Sequence, residues 1–233
     1  MKKIVLILTA VFIAGMARAQ SDGDYRTKTS VYPNSGKNYD YTWGKSVWWE
    51  IRVGGQWIDA TTIDPNTGVE YGTPQPSNAS GTITLRPRIA EGGETVNDDE
   101  FEINTGAAKS PLRPATNLVL LSGFKLIMGI NKTGQGRVIE FNNIELQGTS
   151  LLSGSTSPDD PSAAINDVKI NGNLTVAPGA TFNTSGTNST GNVVFTTQAG
   201  YDNRPIGSNI NYGTVSVFAV DLISFRCEKI LKY

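Results

Sequence analysis

Seven aromatic residues between positions 32 and 57 are the side chains whose type and spacing best suit ligand binding. They include all four tryptophans of the chain: Tyr32, Tyr39, Tyr41, Trp43, Trp48, Trp49 and Trp57. Flat aromatic faces stack on sugar rings, so a carbohydrate-binding surface is one interpretation, with contacts from Tyr41, Trp43, Trp48, Trp49 and Trp57. The interpretation we prefer is structural. Each ring buries about 150–250 Å², which suits a cap over the open end of a stacked β-fold.

Catalytic and metal-binding chemistry has little support in the composition. The chain has no histidine and a single cysteine, Cys227, which excludes Ser-His-Asp and Cys-His nucleophiles, a structural zinc site and an intrachain disulfide. The acidic residues Asp98, Asp99, Glu100 and Glu102 lack the spacing of a calcium loop, and a solvated turn is the preferred interpretation. We therefore expect a non-enzymatic protein with no catalytic residues, no metal and no cofactor.

The elements that would position the tryptophans form a β-hairpin. In WWEIRVGGQWIDAT, Trp49, Ile51 and Val53 alternate with Glu50 and Arg52, which gives one apolar and one polar face. The Gly-Gly pair that follows supplies the positive φ angles that a two-residue turn needs. The next stretch, 64–80, is rich in Pro, Gly and Asn and predicts a loop.

A weak repeat follows the hairpin. Its three copies are LLSGFKLIMG, ELQGTSLLSG and KINGNLTVAPG, in which Gly123, Gly148 and Gly172 follow one another at nearly equal steps. We expect these glycines to lie at bends between sheets. This period predicts an all-β fold, a right-handed parallel β-solenoid (β-helix) in which Leu121, Leu146 and Ile170 share one interior. The alternative is an antiparallel β-sandwich. The predicted inward positions are Leu121, Leu126, Met128, Leu146, Leu151, Ile170, Leu174, Val176 and Phe182.

The two ends of the chain differ from its centre. The first 19 residues have the three parts of a secretory signal peptide. These parts are the basic pair Lys2 and Lys3, an uncharged run to Met16 and the triplet Ala-Arg-Ala at 17–19. We expect cleavage after residue 19, an aromatic hairpin and cap region at 20–80, solenoid coils at 81–200, and a linker with the start of a C-terminal β module at 201–233. Removing three basic residues with the signal changes the net charge from −1 to −4, which argues against a nucleic-acid partner.

Four segments carry a family resemblance: GDYRTKTS, WWEIRVGGQWIDATT, GTITLRP and GNLTVAPGATF. Together they resemble the N-terminal region of large exported surface proteins of gram-negative bacteria, the type IX secretion cargo proteins, in which a Trp hairpin precedes β-helix-like coils. Two features depart from that pattern: residues 31–47 are longer and more aromatic, and the coils are fewer. The last segment, 217–233, resembles the first strand of the β module that often follows the coils, and we expect the chain to be truncated there.

The resemblance implies a structural or adhesive segment of a surface protein. Its expected location is the cell surface or the medium, or the periplasm if the C-terminal sorting signal is absent. Polysaccharides or other cell-surface components are the expected partners, with no membrane span after signal cleavage. A carbohydrate-binding module using the aromatic block is the first alternative. A polysaccharide lyase or hydrolase is the second, since a pair of carboxylates can cleave glycosidic bonds without histidine. It predicts a groove with convergent carboxylates and basic residues.

Overall fold

The computed structural model describes residues 20–29, 43–74, 81–89, 100–103, 116–128, 130–131, 138–154, 164–165, 167–185 and 191–217. The expected signal peptide, Tyr32, Tyr39, Tyr41 and the segment 218–233 lie outside these ranges. Within them strands predominate and there is one α-helix. The all-β class predicted from the sequence is therefore confirmed.

The strands are short and follow one another closely. The first nine are β1 (Tyr25–Thr27), β2 (Trp49–Val53), β3 (Gln56–Asp59), β4 (Thr82–Leu85), β5 (Glu100–Ile103), β6 (Asn117–Leu120), β7 (Lys125–Met128), β8 (Ile130–Asn131) and β9 (Val138–Phe141). The rest are β10 (Ile144–Leu146), β11 (Leu151–Gly154), β12 (Ala164–Ile165), β13 (Asp167–Ile170), β14 (Leu174–Val176), β15 (Thr181–Asn183), β16 (Asn192–Phe195), β17 (Ile210–Asn211) and β18 (Thr214–Val217). A 3-10 turn spans Ser46–Trp48, and helix α1 spans Gln198–Asp202.

Three larger sheets contain all but two of these strands. Sheet 1 has the order β14-β10-β6-β4-β1-β2-β3, sheet 2 the order β17-β15-β11-β7-β5, and sheet 3 the order β18-β16-β13-β9. Strands β8 and β12 form a separate antiparallel pair. Among the described strands of sheets 2 and 3 every pairing is parallel. In sheet 1 antiparallel pairing is confined to β1–β2 and β2–β3.

The chain visits the sheets in a fixed order. From β6 to β16 it passes through sheets 1, 2 and 3 in that order three times. On sheet 1, Leu118 of the first passage lies opposite Ile144 of the second, and Ile144 lies opposite Leu174 of the third. Successive passages therefore lie side by side with like residues in register.

Leu146 and Ile170 share one buried cluster, as predicted, but the equal step does not place them side by side, and Leu121 is only half-buried. Leu146 lies opposite Leu120 on sheet 1, whereas Ile170 belongs to sheet 3 and lies opposite Phe195. The physical reason is that the passages differ in length, because their loops differ. Residues that are separated by a constant step along the sequence therefore fall at different corners of the fold.

Most of the nine predicted inward positions are correct. The residues that are buried as predicted are Leu126, Leu146, Ile170, Leu174 and Phe182, and Val176 packs partly buried against them. Leu121 and Leu151 are only half-buried, and their neighbours Leu120 and Leu152 point inward instead. Because side chains alternate along a strand, an error of one residue moves a position to the opposite face. The side chain of Met128 lies outside the described part of the structure.

After β6, β10 and β14, the corners from sheet 1 to sheet 2 are four-residue turns at 121–124, 147–150 and 177–180. In each, the N–H of the fourth residue donates to the carbonyl of the first, at 3.0–3.1 Å. Gly123, Gly148 and Gly179 adopt φ of 84°, 53° and 94° in these turns, a region that disfavours other residues. The predicted bends at Gly123 and Gly148 are confirmed. Gly172 lies at a different corner, between β13 and β14, and is not among the glycines with positive φ.

One cluster of buried apolar side chains takes members from all three sheets. At its N-terminal end it includes Tyr25, Trp43 and Trp49, all fully buried. After β16, α1 occupies the place in the sequence where earlier passages add a strand to sheet 1, and Thr197 caps it by accepting from the N–H of Gly200 at 3.1 Å. Strands β17 and β18 then pair in parallel with β15 and β16, so they continue sheets 2 and 3.

Candidate functional site

The predicted hairpin is confirmed and forms the edge of sheet 1. Strands β2 and β3 pair in antiparallel register, and Gly54 and Gly55 adopt φ of 57° and 79°, the pair of positive angles of a type I′ turn. The carboxylate of Asp22 accepts from the N–H groups of both glycines at 3.0 Å. This fixes the turn and, with it, the side chains on the two strands.

Three of the four tryptophans lie in the core. Trp43 and Trp49 have no exposed surface, and Trp48 is 6% exposed. The rings of Trp43 and Trp49 meet edge to face with centroids 4.9 Å apart. The indole N–H of Trp43 donates to the carbonyl of Pro74 at 3.2 Å, and that of Trp49 to the carbonyl of Trp43 at 3.0 Å. These rings therefore present no face to a ligand in this structure.

Trp57 is the predicted contact residue that remains half-exposed. It lies on the outer face of sheet 1, where the guanidinium of Arg26 sits 4.1 Å from its ring centroid and that of Arg52 sits 5.9 Å away. Its indole N–H donates to the side chain of Gln20 at 3.4 Å. Trp57 thus holds arginine side chains in place as well as bordering solvent. Tyr41, the fifth predicted contact residue, lies outside the described residues.

Beside Trp57, charged side chains converge on the outer face of sheet 1. Arg26, Glu50 and Asp59 are neighbours in register across β1, β2 and β3. The guanidinium Nε of Arg26 lies 2.7 Å from Glu50 Oε2, and Nη2 of Arg86 lies 2.6 Å from the same oxygen. The ammonium of Lys28 lies 3.0 Å from Asp59 Oδ1. The alternation of β1, β2 and β3 brings these groups to one face while their neighbours enter the core.

Arg86 reaches this face from the end of β4. Its Nε donates to the carbonyl of Thr27 at 2.7 Å, and its backbone N–H donates to Thr27 Oγ1 at 2.7 Å. Thr27 Oγ1 in turn donates to the carbonyl of Arg86 at 3.0 Å. This reciprocal contact joins the end of β4 to the end of β1 and fixes the guanidinium of Arg86.

These side chains surround an open cleft of about 290 Å³, which we call the charged cleft. Its lining residues are Arg26, Lys28, Thr29, Glu50, Asp59 and Arg86. Three cations and two carboxylates give it a net charge of +1. The side chains of Arg26, Glu50 and Arg86 are 20–23% exposed, so their interactions are less screened than those of a surface pair. The cleft offers hydrogen-bond donors and acceptors to a small polar ligand.

Sequence reasoning identified only part of this cleft. The alternation that predicts the hairpin also predicts a polar face with Glu50. The lining residues span positions 26 to 86, and only the pairing of β1 with both β2 and β4 brings them together. The acidic residues considered for calcium stay untested, because Asp98 and Asp99 lie outside the described residues, as do the side chains of Glu100 and Glu102. Within the described ranges, no group of three or more His, Cys, Asp or Glu residues could hold a metal ion.

Comparison with known proteins gives no match: no family model, no curated protein and no solved structure matches this chain. Among the described residues, no helix has the length and apolar character needed to cross a membrane.

Proposed function

We propose that this chain is a non-enzymatic structural or adhesive segment of an exported bacterial surface protein, built as a right-handed parallel β-solenoid with an aromatic N-terminal cap. The observation that carries the proposal is the threefold passage through sheets 1, 2 and 3 in one order, with parallel strands in register. Stacked coils of this kind bury a core that no single coil could bury alone. The handedness follows from the strong preference of parallel crossovers for the right hand.

The parallel pairing favours a solenoid over the alternative sandwich. Antiparallel sandwiches join neighbouring strands by hairpins or Greek-key connections, whereas most described neighbours here are parallel and come from successive passages of the chain. Antiparallel pairing within sheet 1 is confined to β1, β2 and β3, at one edge. The hairpin and the buried Trp43 and Trp49 then cover the start of the stack, as a terminal repeat requires.

A structural role needs only rigidity. Each coil is joined to the next by backbone hydrogen bonds on three sheets, so bending the stack would break several bonds together. The Lys-Lys start, apolar run and Ala-Arg-Ala triplet of the N-terminus support export. The resemblance to type IX secretion cargo proteins supports a cell-surface or secreted location.

The charged cleft is the feature most like the groove expected of a lyase or hydrolase. However, Glu50 Oε2 already accepts from two guanidinium groups, at 2.7 and 2.6 Å. Asp59, the other carboxylate of the lining, is paired with Lys28 at 3.0 Å, so each carboxylate of the cleft already has a cationic partner. Catalysis therefore has less support than a structural role.

Expression of the full chain in a gram-negative bacterium tests the proposal. We expect a mature N-terminus at Gln20 and, with purified protein, no release of reducing ends from acidic or neutral polysaccharides beyond that of Glu50→Gln. An unprocessed cytoplasmic product would overturn export. Reducing ends released by the natural protein and not by Glu50→Gln would overturn the non-enzymatic role.

A further inference from the structure

We infer that the charged cleft binds a sugar acid, a ring that carries one carboxylate and several hydroxyl groups. The inference goes beyond the structural role proposed above and does not depend on it. It rests on the charge, the available hydrogen-bonding groups, the rigidity and the size of the cleft.

The charge of the cleft favours an anion. Arg26 and Arg86 both lie against the same oxygen of Glu50, Oε2. Lys28 is paired with Asp59, whose side chain is 57% exposed. Over the lining residues of the cleft, three cations face two carboxylates, and a ligand carboxylate would neutralise the remaining positive charge.

Donors remain for such a carboxylate. Arg26 uses Nε for Glu50, and its two Nη groups, although the guanidinium lies against the ring of Trp57, donate no hydrogen bond to another described residue. Lys28 directs its ammonium, which has three N–H groups, at Asp59 alone among the described residues. The planar fork of a guanidinium matches a carboxylate in geometry, so Arg26 and Lys28 are the residues expected to hold the acid group.

Acceptors are present beside these donors. Asp59 and the second oxygen of Glu50 can accept from ring hydroxyls, and Thr29 adds a hydroxyl to the lining. Inorganic sulfate has no hydrogen to donate to them, whereas a sugar acid has several. The mixed set of groups therefore fits a sugar acid better than a simple anion.

Neighbouring contacts hold the cleft in shape. The ring of Trp57 lies 4.1 Å from the guanidinium of Arg26, and the carbonyl of Thr27 fixes Arg86. Trp57 does not line the cleft and so acts as a positioning residue. The volume of about 290 Å³ lies just below the range of about 300–1,000 Å³ for small-molecule pockets, so the cleft suits a single ring of a longer acidic glycan.

Titration of the ¹⁵N-labelled protein with D-glucuronate tests the inference, with D-glucose, acetate and sulfate as matched probes. We expect saturable shifts of the Arg26, Thr29 and Asp59 amide signals with glucuronate, and much weaker binding of the other three probes. Arg26→Gln and Lys28→Gln should each weaken glucuronate binding by about tenfold or more, because each removes a charge-assisted hydrogen bond. Arg52→Gln is the control, because Arg52 also lies near Trp57 but outside the cleft.

Four results would overturn the inference. They are glucose binding as tightly as glucuronate, acetate or sulfate binding as tightly as glucuronate, shifts that avoid the cleft, and an unchanged affinity in a folded Lys28→Gln variant. If Arg26→Gln fails to fold, Lys28→Gln and the shift map of the natural protein still decide the question.

Discussion

Asparagine side chains extend the hydrogen-bond ladder of sheet 1 beyond the backbone. Asn117, Asn143 and Asn173 occupy matching positions at the start of β6, β10 and β14. The amide of Asn143 donates to Asn117 Oδ1 at 2.6 Å, and its oxygen accepts from the backbone N–H of Asn173 at 2.8 Å. The Asn143 side chain thus satisfies groups on both neighbouring passages, which explains why asparagine suits this corner.

Replacing Asn143 should therefore weaken the fold. Asn143→Ala removes both contacts and leaves their partners short of a hydrogen bond, which should lower the free energy of unfolding by about 1–3 kcal/mol. Urea denaturation measures the loss. Asn142→Ala is the matched control, since the adjacent Asn142 side chain is exposed. Equal losses in the two variants would contradict the ladder.

The environment of Tyr212 leads us to expect that the stability of the fold decreases at alkaline pH. Burial, opposed in part by the charge of Arg204, raises the pKa of Tyr212 from 10.0 to about 12, and its hydroxyl donates to the carbonyl of Pro205 at 2.7 Å. Because the folded pKa is raised, the contribution of Tyr212 to stability is complete below pH 10 and is lost as the pH rises towards 12. Urea denaturation should show a fall in stability over this range that is smaller in Tyr212→Phe. An identical fall in both proteins would contradict this assignment.

At the scale of elements, local sequence patterns predicted the hairpin and its turn. The sequence repeat did not predict which residues of successive passages lie side by side. The hairpin at 49–59 depends on alternation and a Gly-Gly pair within one short segment, so the sequence determines it. Which residues of successive passages lie opposite each other depends on the lengths of the loops between strands. No sequence pattern indicates these lengths. Gly148 and Gly172 look equivalent along the chain, yet they lie at different corners, and Gly179 is the true counterpart of Gly148.

Glycines at stacked corners give a test at this scale. Gly213 adopts φ of 64°, and a Cβ there would collide with the carbonyl oxygen of Gly191 on the preceding passage. Gly213→Ala should lower the free energy of unfolding by about 2 kcal/mol or more, from the strained φ and the collision together. Gly44→Ala is the control, because a Cβ at Gly44 meets nothing within 4 Å. Similar thermal unfolding of the two variants would contradict the close approach of these corners.

For the whole molecule, aromatic residues stand at both ends of the described core. Trp43 and Trp49 pack at the N-terminal end. Near the C-terminal end, the rings of Tyr201 and Tyr212 each have their centroid 6.3 Å from that of Phe195. The sequence predicted the first cluster as a cap but gave no sign of the second. Of the charged cleft it predicted only the polar face with Glu50, because residues from β1, β2, β3 and the end of β4 meet there only after the sheet forms.

The two classes of tryptophan should differ in their effect on stability. Trp49→Ala removes a fully buried ring and should lower the free energy of unfolding by about 3–5 kcal/mol. Trp57→Ala removes a half-exposed ring and its contact with Arg26, with an expected loss of about 1 kcal/mol. Denaturant titration of both variants checks this order. A larger loss in Trp57→Ala would contradict the placement of Trp49 in the core.

Cysteine pairs across neighbouring passages test the stacking of the chain most directly. Glu145 and Thr175 lie opposite each other on parallel strands of sheet 1, at the usual strand spacing of about 4.8 Å, which a disulfide can span. Lys169 lies on sheet 3, although it follows Glu145 by the same step that the sequence repeat suggested. In a Cys227→Ser background, oxidation should join the pair made by Glu145→Cys with Thr175→Cys and should not join Glu145→Cys with Lys169→Cys. A disulfide in the second pair and none in the first would contradict the stacked arrangement.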